Sequence, residues 1–138
     1  MSITEIQIPR KLTQQLLHHA QSSPESEVCG LISAKNSQPY HCYPINNVAS
    51  QPESKFLLDA QQQIAAQVTM REKGEELFAI YHSHPTAPAL PSKTDIALAH
   101  SPDILHLIIS LNIKGVLEMR GFKIANGHAQ EVVLILVS

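Results

Sequence analysis

The chain has 138 residues (15.2 kDa), of which 43% are hydrophobic and 16% charged, with 10 basic against 12 acidic side chains and a net charge of −2. That length supports one domain, 1–138, with a core of its own, and the composition excludes a disordered chain or a coiled coil. There is no Lys/Arg cluster, no apolar run near the ~20 residues of a membrane span, and no basic-then-apolar leader in Met1-Ser2-Ile3-Thr4-Glu5, so no nucleic acid and no membrane is expected as a partner and the cytoplasm is the expected compartment.

Pro9 suits the first turn of a helix, and Leu12, Leu16, Leu17 and Ala20 follow at helical spacing up to the polar break at Ser22-Ser23-Pro24. The dense apolar run 28–32 predicts a buried strand, and 40–44 predicts a second one across a polar turn. Residues 46–55 read as a loop. Asp59 and Gln62 have the spacing of a capping box, Ile64, Ala65 and Val68 form an apolar stripe, and Gly74 is placed to end the segment, so a helix is predicted over 60–73. The run 77–81 predicts a central strand that leads straight into His82-Ser83-His84-Pro85. A loop with Pro85, Pro88 and Pro91 comes next, and Ser92-Lys93-Thr94-Asp95 opens a short helix containing Ile96, Ala97 and Ala99. Residues 104–111 carry the strongest strand signal. The chain then closes in a meander at 116–119, 122–124 and 132–137, with Asn126-Gly127 as a hairpin turn. Strands interleaved with helices and finished by hairpins predict a mixed α/β or α+β domain. Cys29 and Cys42, without an export signal, are expected as reduced core residues rather than a disulfide.

Chemistry concentrates in His82-Ser83-His84, because two imidazoles two apart at the end of a strand point to the same side and can grip one ion together. The other histidines, His18, His19, His41, His100, His106 and His128, are isolated or on polar faces and read as surface or hydrogen-bonded residues. A catalytic zinc site takes three protein ligands and leaves a fourth position for water. Asp95 supplies a third candidate, after ten residues (85–94) whose three prolines can fold the loop back. Ser92 and Asp95 equally have the Ser-x-x-Asp spacing of a helix cap, which needs no metal. Ser83 lacks the Gly-x-Ser-x-Gly elbow of a hydrolase nucleophile, and Cys29 lies in an apolar run where a thiol is inert. The absence of His-Glu-x-x-His excludes a thermolysin-like site, and the absence of Pro-Cys-x-x-Cys excludes a zinc deaminase.

His82-Ser83-His84-Pro85, the ten-residue interval to Asp95 and Ser92 within it resemble the signature of the JAMM (MPN+) metalloprotease family. Upstream, Pro24-Glu25-Ser26-Glu27-Val28-Cys29-Gly30-Leu31-Ile32 is similar to the Pro-x-Glu-x-Cys-Gly-Leu-Leu segment of bacterial members, and the match carries the family's Glu onto Glu27 rather than Glu25, which reads as a solvated loop acid. The resemblance spans nearly the whole chain. It implies a single-domain, cytidine-deaminase-like JAMM/MPN fold, a curved mixed β-sheet flanked by helices, with the site at the end of the His-x-His strand. It further implies one Zn²⁺ held by His82, His84 and Asp95, with a water as fourth ligand and nucleophile, Glu27 as general base, and Ser92 either stabilising the oxyanion or only capping its helix.

The activity implied is hydrolysis of the peptide or isopeptide bond after the C-terminal Gly-Gly of a ubiquitin-like protein. The compact length is similar to that of small prokaryotic members that trim a sulfur-carrier protein, reached through a cleft expected beside the loop 85–91, and a homodimer is compatible with it. The alternatives are a JAMM peptidase acting on a peptide without a ubiquitin fold, such as a phage-tail or cell-wall target, and a non-catalytic MPN scaffold. A DNA-repair relative is disfavoured by the missing basic patch.

Overall fold

The apolar runs at 28–32, 77–81 and 104–111 lie side by side as interior strands of one mixed sheet. The computed structural model describes residues 5–99, 101–113 and 118–138. Its elements run β1 (Glu5–Pro9), α1 (Arg10–Ser22), β2 (Cys29–Lys35), β3 (Gln38–Ile45), α2 (Ala60–Glu72), β4 (Glu76–His84), α3 (Lys93–Ala97), β5 (Leu105–Ser110), β6 (Glu118–Ala125) and β7 (His128–Val137). Among the described residues the strands form a seven-stranded curved sheet in the order β1-β7-β6-β5-β4-β2-β3, with the β1–β7 and β4–β5 pairs parallel and the others antiparallel. The expected strand 116–119 falls partly outside the described residues, as does His100 entirely.

Strand alternation divides the core into two faces. On one, Tyr81 of β4 and Leu105, Leu107 and Ile109 of β5 pack with Leu12, Leu16 and Ala20 of α1, the stripe that its periodicity predicts. On the other, Leu31 and Ile45 meet Ala66 and Met70 of α2, while Ile108, Phe122 and Ile124 pack with Ile96 and Ala99 around α3. The second face carries the histidines.

Several local expectations differ from the fold. Residues 5–9 form a strand that the sequence reading leaves out, and Pro9 ends it and precedes the helix instead of lying in its first turn. As a five-residue edge strand whose partner is the distant β7, β1 has little local signal, and an edge position tolerates proline. Asp59 makes no side-chain cap, and Gln62 instead accepts a bond from the Asn46 amide at 2.7 Å. The buried residues of α2 are Ala66 and Met70, whereas Ile64 and Val68 are exposed. Both pairs are spaced for one helix face, and only docking on the sheet decides which is covered. Gly74 follows α2 at φ +72°, and Asn126-Gly127 turns the final hairpin at φ +53° and +75°, the left-handed pair a two-residue turn of that kind requires. Cys29 and Cys42 are free and buried.

Candidate active site

β4 is interior, so its side chains alternate between two covered faces: Ile80, His82 and His84 face α2 and α3, and Tyr81 and Ser83 face away. Ser83 is fully buried and joins β4 to the start of β2, its Oγ accepting from the Val28 amide at 2.9 Å and its own amide donating to the Val28 carbonyl at 3.0 Å. That contact sets Glu27 beside the histidines, and Ser83 itself stays buried on the face turned away from them. The backbone of Glu27 is fixed from the loop 46–59 side as well: its amide donates to the Pro52 carbonyl at 2.7 Å, and its carbonyl accepts from Asn47 Nδ2 at 2.9 Å. Glu27 is buried and Glu25 exposed.

Asp95 arrives from α3. Ser92 Oγ accepts from the Asp95 amide and Asp95 Oδ2 accepts from the Ser92 amide, both at 2.9 Å, a reciprocal capping box that fixes the carboxylate. The same Oδ2 lies 3.1 Å from His82 Nε2 and 3.2 Å from His84 Nε2, and the two Nε2 atoms are 3.2 Å apart. His84 Nδ1 donates to the Pro88 carbonyl at 2.8 Å, so Nε2 is the nitrogen that faces this triangle and the one left unprotonated when the ring is neutral. Phe56 stacks on His82 with ring centroids 4.3 Å apart. Glu27, His82 and His84 offer ligand atoms within 4.8 Å of one another. The capping and ligand readings of Asp95 are therefore compatible: one carboxylate oxygen faces both the helix and the imidazoles.

The electrostatics follow from burial. It raises Glu27 to about 7, with His84 opposing and Asp95 reinforcing the shift, and Glu27 Oε1 is sealed from solvent without a hydrogen-bond partner. Burial would raise Asp95 too, but its bonds to His82 and His84 hold it well below the usual carboxylate range. Burial lowers His82 despite Asp95, while for His84 burial is outweighed by the bonds to Asp95 and the Pro88 carbonyl, and its pKa rises. A cavity of about 250 Å³ opens beside His82 and Asp95. It is bordered by Phe56, Leu57 and Leu58 and by α3, not by the loop 85–91, whose Ala89 is buried and whose Ala87 carbonyl accepts from Ser110 Oγ at 2.7 Å.

The five motif residues thus converge from three parts of the chain. Phe56 and Asn47 lack any local signal of their place there. His106 had one: it lies in the apolar run of β5, where alternation puts it on the histidine face, and it is 7% exposed rather than on a polar surface.

Residues 9–123 match the family described as prokaryotic homologs of the JAB domain, Prok-JAB. The chain belongs to that family. This Prok-JAB chain is 29% identical over 122 residues to the CysO-cysteine peptidase of Mycobacterium tuberculosis, covering 87% of itself and 83% of that protein. It is 27% identical over 116 residues to the desampylase of Haloferax volcanii, with 80% and 84% covered. The solution structure of a protein from Desulfitobacterium hafniense superposes with a TM-score of 0.85 at 31% identity, covering 99% of this chain and 94% of that one. The curved mixed sheet flanked by helices is the JAB/MPN fold that the sequence motifs imply. No helix of the described residues in this Prok-JAB chain is long and apolar enough to cross a membrane.

Proposed function

We propose that this Prok-JAB chain, 1–138 as one domain, is a zinc-dependent peptidase that hydrolyses the bond after the C-terminal Gly-Gly of a ubiquitin-like sulfur-carrier protein. The observation that carries the reading is the triangle of His82 Nε2, His84 Nε2 and Asp95 Oδ2, with sides of 3.1, 3.2 and 3.2 Å, facing the unpartnered carboxylate oxygen of Glu27. Ligand atoms at ~2.0–2.1 Å from a tetrahedral zinc stand about 3.3 Å apart, so these residues fit that ion, with His82, His84 and Asp95 holding it. When bound, zinc supplies Lewis-acid polarisation and makes hydroxide accessible near neutral pH.

The remaining work belongs to the chain itself. Glu27, poised near neutrality by burial, takes a proton from the attacking water and returns it to the leaving amine. Ser92 fixes Asp95 through its amide and Oγ. Its hydroxyl hydrogen is not committed to that cap, and it donates to the oxygen that becomes negative as the scissile carbonyl is attacked. The Pro88 carbonyl holds the tautomer of His84, and Phe56 restricts water around His82. The relatives named CysO-cysteine peptidase and desampylase support the substrate class. Two free, buried thiols accord with the cytoplasm.

The test is the intact mass of a sulfur-carrier protein extended beyond Gly-Gly, incubated with the protein with and without a zinc chelator. Chelator-sensitive trimming to the bare Gly-Gly end is expected. An unchanged mass with zinc-loaded protein would overturn the substrate and move the target to another peptide or protein.

A further inference from the structure

The cavity beside His82 and Asp95 is walled mainly by apolar side chains, among them Phe56, Leu58, Leu98 and Ile108. His106 interrupts that wall. In register it stands between Ile80 of β4 and Phe122 of β6, on the face shared with His82. It is 7% exposed, and no hydrogen bond to its ring is formed by the described residues. His106 lines the cavity, and among the described residues its ring nitrogens are not counted with the sealed, unpartnered buried atoms, which are Glu27 Oε1 and His82 Nδ1. Burial, and then His82 beside it, push the imidazole below its usual range against the pull of Asp95, which leaves a neutral ring with one N–H donor and one acceptor at neutral pH.

A leucine at this position would fill the same wall without desolvating a polar ring. An imidazole kept there without a partner among the described residues is matched when a bound group supplies one. The substrate assigned above reaches the triad as an extended tail, and its Gly-Gly pair has no side chains with which to occupy about 250 Å³. Recognition of one carrier protein over another therefore falls to residues before the glycines. We propose that His106 is a specificity-determining residue: its N–H donates to a main-chain carbonyl of the tail residue preceding Gly-Gly, and the apolar wall takes that residue's side chain. This rests on the assignment of a Gly-Gly-terminated substrate.

The experiment uses zinc-loaded wild type, His106→Leu and His106→Gln, and two short peptides ending in Gly-Gly that carry Leu or Asp immediately before the glycines. Calorimetry is expected to show the Leu peptide binding wild type about tenfold more tightly than the Asp peptide, with His106→Leu losing about tenfold toward the Leu peptide and His106→Gln, which retains a donor, regaining most of it. His106→Leu should keep its zinc content and melt no lower than wild type, and on the extended carrier it should raise KM while kcat changes little. Equal binding by wild type and His106→Leu overturns the proposal, as does equal binding of the two peptides. Loss of zinc or a lowered melting temperature in His106→Leu makes the residue a support of the metal site and overturns it too. A wild type that leaves the carrier uncut but binds the Leu peptide through His106 refutes the substrate and keeps the subsite. A wild type that cuts the carrier with His106→Leu unaltered does the reverse.

Discussion

Glu27 holds a carboxylate oxygen in a dry place with no hydrogen-bond partner, which folding tolerates because burial moves its pKa to about 7 and the neutral acid is the cheaper form. Glu27→Gln preserves the shape and removes the proton traffic. The variant should retain zinc by elemental analysis and lose about 10²–10⁴ in kcat, and an active variant would remove Glu27 from the role of base. The sign of its pH effect in chelator-treated protein is also fixed. The folded pKa lies above the unfolded value, so the protonated carboxyl stabilises fully below about pH 4.5 and that stability is lost as pH rises through about 7. Denaturant titrations from pH 4.5 to 7 should show wild type declining relative to Glu27→Gln across that window. Ser92 separates its two roles in one substitution. Ser92→Ala should lower stability by about 1 kcal/mol and zinc affinity about tenfold through the lost cap, measured by chelator competition, and a further ~10² in kcat at saturating zinc assigns the hydroxyl to the oxyanion. At this scale His82, His84 and Asp95 stood out as candidates by residue type and spacing, whereas Glu27 over Glu25, and Ser92 as more than a cap, came from the family resemblance; the structure buries Glu27 and leaves Glu25 exposed.

The β2–β4 pair is the element that turns those residues into a site. Cys29 opposes His82 in an antiparallel register, and the pair of hydrogen bonds between Val28 and Ser83 continues it, so Glu27 lies beside the end of β4. The register depends on Gly30. A Cβ there would stand 2.5 Å from the Tyr81 ring and from the Tyr43 carbonyl, and Tyr81 is wholly buried, its hydroxyl bonded by His19 Nδ1 at 2.6 Å and Cys42 Sγ at 3.2 Å. Gly30→Ala should therefore cost about 3 kcal/mol, a fall of roughly 10 °C in melting temperature, and reduce zinc affinity as the two strands separate. A variant that melts with wild type would show that the strands repack freely. Elements with strong internal pattern were legible: α1 by its stripe, the final hairpin by Asn126-Gly127, and α3 by Ser92-x-x-Asp95. β1 and the buried side of α2 were not, since one is defined by its pairing with β7 and the other by the choice between Ile64/Val68 and Ala66/Met70, which period alone leaves equal.

For the whole molecule, the triad gathers one carboxylate and two imidazoles at side-chain exposures of 8% or less, a cluster that the proposed cation would tie together across β4 and α3. Ligand binding to the folded state alone adds about 4 kcal/mol at a thousandfold excess over Kd, so saturating zinc should raise the melting temperature by roughly 10 °C in calorimetry. Asp95→Asn should abolish most of that rise, and an undiminished rise in the variant would place the ion on Glu27 and the histidines instead. The amino-acid sequence by itself determined the candidate ligand residues, their order and the fold class, because ligand chemistry, capping and strand alternation are read within a few residues or from fixed intervals. Tertiary structure alone decided that the cavity borders Phe56–Leu58 and α3 rather than the proline loop, that His106 opens on it, and that Ser83 is a strap between strands. Those facts depend on which distant strands become neighbours and on what covers each face; alternation tells which residues share a face, but no local pattern tells what packs against it.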